Sequence, residues 1–401
     1  MRSVLFINQY FWPDMAATSQ LLSDLTEDLA ASDVSVSVLA GRSRYALPEG
    51  ARLDSRVQWR DVEVRRVHST DFGRHRLLGR TVDYLSFFAL AALRVAVGRR
   101  FDVVVCLSTP PLVAALGVVA SWRGARFVYK VEDLYPDVAV ALGLFRRRSM
   151  VGRMLAGLSR SILGRADLVV TLDGSMGESV RARGAHAVTI IPNWTDGESI
   201  SPSPEAGRRY RSVLGASERF IVLYSGNLGQ AHRFDAVAEA ACELESSHPE
   251  VLFLFVGGGA RLKELQEWTA GLSNVSFLGY QPRQGLNALF NAADIHLITL
   301  RDEMAGLLVP SKYSSALAAG KPVLLVGGRN TEMAQEILQE TVGWVCDHKS
   351  REIAAAIRSG LGRGPAAAAR EGRSRRLFER RYDRTHATTL WRRALLEITH
   401  R

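Results

Sequence analysis

Apolar residues fall in short unbroken runs, and between the runs they recur at helical spacing. Residues 2–8 (RSVLFIN) show no alternation, the pattern of a strand buried on both faces. Leu21, Leu22, Leu25 and Leu29 then share one face of a predicted helix over 17–31. Further strand-like runs lie at 34–40, 102–108, 125–131, 166–172 and 188–192, with helical stretches between them, notably 79–98 and 149–164. Strand alternating with helix predicts a parallel sheet covered by helices on both faces.

The stretch 193–209 is polar and rich in Pro, Ser and Gly, and reads as a linker. The pattern then restarts. Strands are predicted at 220–226, 251–257, 275–280, 294–300, 321–327 and 343–347, and helices at 233–247 and 260–271. Residues 366–398 read as one or two amphipathic helices. The predicted organisation is a first α/β domain over 1–195, a linker over 196–215, a second α/β domain over 216–375, and a C-terminal helix over 376–401 that returns to the first domain.

Composition narrows the picture. The 401 residues are 47% hydrophobic and 23% charged, which excludes a disordered chain. Cys106, Cys242 and Cys346 lie far apart without a CxxC, against a disulfide scaffold and a cysteine zinc site. A reducing cytoplasm fits that usage, and Met1 leads into VLFINQYF without the basic start of a signal peptide. Residues 103–122 are uncharged and long enough to span a bilayer, but Pro110 and Pro111 in the middle break such a helix.

The net charge is +10, and only five of the 51 basic residues are lysines: Lys130, Lys263, Lys312, Lys321 and Lys349. Basic residues concentrate in 52–100 (11 against 5 acidic) and 351–401 (13 against 5). Nucleic acid is one partner for such a surface, but no nucleic-acid-binding signature is present. An anionic membrane face is the other. The stretch 74–100 has arginines at both ends and an apolar middle, as an interfacial helix does, and Arg146, Arg147 and Arg148 would add to that face. A core helix flanked by solvated arginines gives the same pattern.

The sharper chemical signals lie in the second half. At 224–233 the chain reads YSGNLGQAHR, so Gly226 and Gly229 sit between a strand and a helix. Glycine lets the backbone approach an anion, and Arg233 offers a bidentate fork to a phosphate. Gly257, Gly258 and Gly259 form a second such turn. In LRDEMAGLLVPSKY (300–313), Pro310 suits the first turn of a helix, with Ser311, Lys312 and Tyr313 at its start. Glu303 would accept from sugar or ribose hydroxyls. In the first half, Asn8, Gln9 and Tyr10 end one strand, and Glu132, Asp133 and Tyr135 end another. The first strand–turn lacks GxGxxG, against NAD binding there.

YSGNLGxxHR, FLFVGGGxRLKEL, VSFLGYxPRxxLNALFNAADIHLITL and GLLVPSKY…LAAGKPV together resemble the family 4 glycosyltransferases of the GT-B fold. QYFWPDMAATSQLLSDLTEDLA, KVEDLYPDVAV and VTIIPNWTD resemble the subgroup that builds colanic acid, O-antigen and related bacterial surface polysaccharides. The similarity runs from about residue 3 to 395.

The resemblance implies two Rossmann-like domains facing a cleft, with C-terminal helices crossing back. It also implies retaining transfer from a nucleotide sugar, usually a UDP sugar, without a metal or other cofactor. No DxD that would hold a metal-bridged diphosphate is present, so protein charges must neutralise it. It places the donor on Gly226, Asn227, Gly229, Arg233, Gly257, Gly258, Gly259, Tyr280, Glu303, Gly306, Ser311 and Lys312, and the acceptor on Asn8, Gln9, Tyr10 and Tyr135. Glu132 or Asp133 would orient or deprotonate the acceptor hydroxyl, with Arg233 and Lys312 meeting the leaving diphosphate. The family has a basic residue directly after the first glycine; Asn227 stands there. It also has two glutamates seven apart. Glu303 matches the first, while Ser311, or Ser315 counted back from Gly320, occupies the second.

The expected function is glycosyl transfer to a glycan or polyprenyl-diphosphate acceptor, by an enzyme peripheral to the cytoplasmic face of the inner membrane. A nucleotide-sugar epimerase or hydrolase of the same fold is one alternative. A non-catalytic membrane-bound scaffold of polysaccharide assembly is another.

Overall fold

The structure is a computed structural model that describes residues 3–14, 16–32, 34–42, 53–70, 77–362 and 364–399. Residues 74–76 of the basic apolar stretch lie outside the described residues. The chain divides into two compact units. One comprises 1–192, 306–309 and 387–401; the other comprises 193–305 and 310–386.

The first unit is built on eight strands: β1 (Ser3–Ile7), β2 (Ser35–Gly41), β3 (Arg56–Trp59), β4 (Val62–Val67), β5 (Val103–Cys106), β6 (Arg126–Lys130), β7 (Leu168–Thr171) and β8 (Val188–Ile190). Their order is β3-β4-β2-β1-β5-β6-β7-β8. All neighbours run parallel except the β3–β4 pair. The helices are α1 (Ala17–Ala30), α2 (Leu77–Val97), α3 (Ala115–Ser121), α4 (Asp137–Ala141), α5 (Met150–Arg165) and α6 (Gly174–Arg181). Every residue of β1 and β5 is buried, which explains their unbroken apolar runs. The 103–122 stretch is strand β5, a turn and helix α3. Among the described residues no helix is long and apolar enough to cross a membrane.

The β3–β4 hairpin was not anticipated. Its strands are short and carry charge on the outer face, where Arg56 and Arg65 flank Glu63. Val62, Val64 and Val67 supply its buried apolar side, with Arg66 buried beside them.

The second unit opens with α7 (Pro204–Val213). It continues with β9 (Phe220–Ser225), α8 (Asp235–Ser247), β10 (Val251–Val256), α9 (Leu262–Trp268), β11 (Val275–Leu278), α10 (Leu286–Ala292) and β12 (Ile295–Thr299). Then come α11 (Lys312–Ala318), β13 (Val323–Val326), α12 (Glu332–Gln339), β14 (Gly343–Cys346), α13 (Ser350–Gly360) and α14 (Pro365–Arg381). The last helix is α15 (Arg384–Thr399). The six-stranded sheet has the order β11-β10-β9-β12-β13-β14, parallel throughout.

Helix α7 corrects the reading of 196–215 as a linker. Pro204 starts it at the position where a missing N–H costs nothing. Tertiary contacts hold it: Ser203 N–H donates to Asn291 Oδ1 at 2.6 Å, and Arg211 Nε to the Ala292 carbonyl at 2.8 Å. Gly207 is the close-contact point, since a Cβ there would lie 2.4 Å from the Asn291 carbonyl oxygen. Overpacking of this kind costs about 1–3 kcal/mol. Gly207→Ala is therefore expected to lower the unfolding temperature by several degrees, at about 2–4 °C per kcal/mol. An unchanged melting curve would refute the contact.

Candidate active site

Strand order in the second sheet reverses between β9 and β12. Ligands of open parallel sheets bind outside the carboxyl ends of the strands at such a point. The β9 end leads into Gly226–Arg233, and the β12 end into Leu300–Glu303. Gly226, Asn227, Gly229, Arg233 and Glu303 are thus drawn to one end of this sheet.

The two glycine turns interlock. Gly226 N–H donates to the Val256 carbonyl at 2.8 Å, and Leu228 N–H to that of Gly258 at 2.8 Å. Gly257 has φ +131°, and a Cβ there would sit 2.1 Å from the Gly226 carbonyl oxygen. A Cβ on Gly259 would meet Asn227 Oδ1 at 2.5 Å. A Cβ on Gly229 would meet Asn227 Nδ2 at 2.9 Å. Asn227 is exposed and wedged against both turns. Tyr280 is exposed, and its hydroxyl donates to the Gly258 carbonyl at 3.3 Å.

Lys312 lies across Gly226, where a Cβ would come 3.0 Å from Lys312 Cε. Its Nζ is 4.8 Å from the centre of the Tyr224 ring and 3.4 Å from His232 Nε2. Burial pulls its pKa down to about 8. His232 is the residue the sequence reading passed over. Its Nδ1 lies 2.5 Å from the Thr299 carbonyl at the end of β12. A carbonyl only accepts, so that nitrogen carries the proton and Nε2 is left as an acceptor facing the ammonium. Burial, and then the Lys312 charge, lower the His232 pKa to about 3. The histidine is therefore neutral at pH 7, and it links the β9 loop, the β12 end and Lys312. Its only signal in the sequence was its place beside Arg233.

Arg233 is exposed and grips Asp235, with Nε to Oδ1 at 2.9 Å and Nη2 to Oδ2 at 2.7 Å. Its pKa is raised chiefly by those hydrogen bonds. The Nη1 side of the fork is not used by Asp235. Arg233, Arg301 and Glu303 line a cavity of about 390 Å³ with Arg261 and Trp268. The backbone N–H of Glu303 and then Arg301 hold the Glu303 carboxylate below its ordinary pKa. Lys312 does not line this cavity.

Three placements differ from expectation. Pro310 precedes α11 rather than opening it, and α11 has only seven residues. Its side chain at Lys312 therefore supplies the positive charge, rather than a long helix. Ser311 is exposed at the cap of α11, whereas Ser315 is half-buried with its hydroxyl 3.1 Å from Thr195 Oγ1, so Ser311 is the more open of the two replacements. Gly306 groups with the first unit: a Cβ there would lie 3.0 Å from Ser179 Oγ.

In the first unit the sheet reverses between β1 and β5, and the predicted acceptor residues follow β1 and β6. Asn8, Gln9 and Tyr10 are buried, while Tyr135 is half-buried. Asn8 Nδ2 donates to the Tyr10 carbonyl at 2.7 Å, and Asn8 Oδ1 is buried without a partner among the described residues. The Tyr135 carbonyl accepts from Ser159 Oγ at 3.0 Å. Glu132 is buried and paired with the buried Lys130. The backbone N–H groups of Glu132 and Asp133 donate to Ser108 Oγ at 3.1 and 3.3 Å. Burial, with the Glu132 charge beside it, raises the Asp133 pKa to about 7. That is the value suited to proton transfer at neutral pH.

Two parallel-sheet units of this kind are the GT-B architecture, and the protein is a glycosyltransferase of that fold. It carries a glycosyl transferase 4-like domain over residues 18–194, followed by a glycosyl transferases group 1 domain over 208–372. It is 24% identical over 279 residues to the probable glycosyltransferase WbjE of Pseudomonas aeruginosa, covering 68% of this chain and 69% of that one. It is 30% identical over 262 residues to the putative colanic acid biosynthesis glycosyl transferase WcaI of Escherichia coli K12, covering 62% of each chain. The solved structure of HepE from Anabaena in complex with UDP-glucose matches with a TM-score of 0.71 at 18% identity, covering 99% of this chain and 100% of that one.

The His232 geometry carries a pH consequence. A free imidazole titrates near 6.5, the folded one near 3. Between those values the unfolded chain binds a proton that the native state refuses, so stability falls as pH drops through that window. His296, lowered to about 4 by burial, acts with the same sign. His232→Gln is expected to flatten part of this dependence, read as the shift in urea midpoint between pH 7 and pH 5. Equal shifts in both proteins would show that His232 is not held neutral.

Proposed function

We propose that the protein is a retaining glycosyltransferase that moves a sugar from a UDP-sugar to a glycan or polyprenyl-diphosphate-linked acceptor. The setting is assembly of a bacterial surface polysaccharide, at the cytoplasmic face of the inner membrane and without a metal. The observation that carries the donor assignment is Lys312 held by His232 over Gly226. A compact cation above a glycine turn is where a diphosphate meets both charge and backbone. Arg233 adds a second positive group, with Nη1 free of the Asp235 grip, and Glu303 offers an acceptor for hydroxyls. Ser311 is the exposed side chain at the position of the missing second glutamate. The UDP-glucose complex of HepE supports uridine as the base, and WcaI supports the polysaccharide setting.

In the proposed reaction the bond from the sugar anomeric carbon to the UDP β-phosphate oxygen breaks, and its electron pair stays on that oxygen. Lys312 and Arg233 stabilise the charge as it grows. The acceptor oxygen bonds to the anomeric carbon on the face the diphosphate leaves. Its proton passes to the departing phosphate or to Asp133. Asn8 Oδ1, with no partner among the described residues, supports a hydrogen bond to the acceptor hydroxyl.

Lys312→Ala and Arg233→Ala are each expected to weaken UDP binding by about ten- to a hundredfold, since a charge-assisted hydrogen bond is worth about 1.5–3 kcal/mol. Calorimetric titration with and without EDTA measures this; unchanged affinity in both variants removes the donor assignment. For kcat/KM a bell-shaped pH profile is expected. It rises through about pH 7 as Asp133 loses its proton and falls above about pH 8 as Lys312 does. In Asp133→Asn the acid limb should disappear along with most of the activity. An intact acid limb assigns the proton to another group. Release of free nucleotide or isomerised sugar without any acceptor would favour the hydrolase or epimerase reading.

A further inference from the structure

The turn that follows β6 is closed by its own hydrogen bonds. The N–H groups of Glu132 and Asp133 both donate to Ser108 Oγ, at 3.1 and 3.3 Å. Leu134 N–H donates to the Leu307 carbonyl at 2.8 Å, and Tyr135 N–H to that of Asp133 at 3.1 Å. No backbone N–H of residues 132–135 is therefore left for a ligand. Glu132 is committed as well, since its carboxylate pairs with the buried Lys130.

Ser108 is 2% exposed and lies two residues past the end of β5. A hydroxyl has two lone pairs and one proton. The two N–H donors fill both lone pairs, and the proton is left over. It meets no acceptor among the described residues, the Asp133 carboxylate included. A buried donor without a partner is costly, and folded proteins ordinarily satisfy it with solvent or a ligand. Thr109 and Asp133, to either side of this hydroxyl, are only half-buried, so the place lies within reach of a ligand.

The position in the fold points the same way. The first sheet reverses between β1 and β5. After β1, Asn8 Oδ1 is a buried acceptor with no donor among the described residues. After β5, Ser108 is a buried donor with no acceptor. The two strand ends are tied together, with Gln9 N–H donating to the Thr109 carbonyl at 3.0 Å. A phosphate dianion carries only acceptors and would satisfy Ser108 alone. A polyol both donates and accepts, so it offers what each of the two groups lacks.

We infer that Ser108 is a specificity-determining residue for the acceptor. Its hydroxyl donates to the oxygen next to the acceptor hydroxyl that reacts, and so selects a sugar with a vicinal diol. The reacting hydroxyl faces Asp133 and its neighbour faces Ser108. Ser108 Oγ is one hydrogen bond from the Asp133 backbone, so the two contacts fall on adjacent positions of one ring. This rests on the acceptor role of Asp133 proposed above.

The test measures transfer by the full chain from UDP-glucose and UDP-galactose to the octyl pyranosides of glucose, galactose, mannose and N-acetylglucosamine. UDP affinity is titrated alongside. The acceptor that reacts fastest is then compared with its monodeoxy derivatives on either side of the linkage formed. In the wild-type protein, loss of one adjacent hydroxyl is expected to raise the acceptor KM about tenfold or more, because it strands the Ser108 proton. Ser108→Ala should raise KM for the intact acceptor to a similar degree, and deoxygenation should then add nothing. Ser108→Thr, which keeps a hydroxyl, should restore the discrimination. UDP affinity should stay unchanged in both variants. Losses that multiply in Ser108→Ala overturn the inference, since a water rather than the acceptor then takes the proton. Equal KM for intact and deoxy acceptors in the wild-type protein overturns it also. Transfer to no member of the panel while UDP still binds overturns it at the acceptor, whereas absence of UDP binding removes the glycosyltransferase reading itself.

Discussion

The proposed donor end of the second unit depends on where an ammonium can rest without a carboxylate. Among the described residues Lys312 has no acid beside it. It is held by a neutral imidazole, an aromatic face and the bare backbone of Gly226. Each of these accepts the cation weakly, and none cancels its charge. A glutamate in the position of His232 would bind the lysine tightly and leave nothing for an incoming anion. The low pKa of His232 belongs to the same arrangement, because a second cation here would repel the first. The hydrogen bond from His232 Nδ1 to Thr299 fixes which nitrogen faces Lys312, so strand β12 sets the protonation pattern of a loop that follows β9.

Much of this architecture was legible in the chain. Strands buried on both faces must be apolar throughout, and β1, β5, β9, β10 and β12 announce themselves as unbroken runs. The hairpin β3–β4 did not, because its stability comes from a paired neighbour and three valines rather than from its own composition. Helix α7 hid behind Pro, Ser and Gly that look like a linker until Asn291 and Asp294 are seen to hold it. The glycine turns after β9 and β10 and the place of Lys312 at the start of a helix were readable as local structure. His232 was not, since its role rests on partners 67 and 80 residues away. Gly306 adds a packing constraint that its motif did not disclose: a Cβ on it would meet Ser179 Oγ and the Ser175 carbonyl of α6.

Arginine serves two different purposes in this protein. In the second unit it is mostly spent on structure: Arg381 binds Glu332 and Glu336, and Arg375 donates to the carbonyl of Ala318 at 2.8 Å. Along α2 and α5 of the first unit, arginines stand among exposed apolar side chains, and Asp83 of α2 is buried. A guanidinium stem lies comfortably on hydrocarbon while its head stays in water, so such a surface suits a boundary between oil and electrolyte.

The interlocked glycine turns have a kinetic meaning. The Gly226 carbonyl leaves no room for a Cβ on Gly257, and Asn227 closes against Gly259, so the two loops pack directly on each other without a ligand. A nucleotide meeting the proposed seat has little to reshape. Its arrival should be limited by diffusion and orientation, with differences among related nucleotides appearing as residence time.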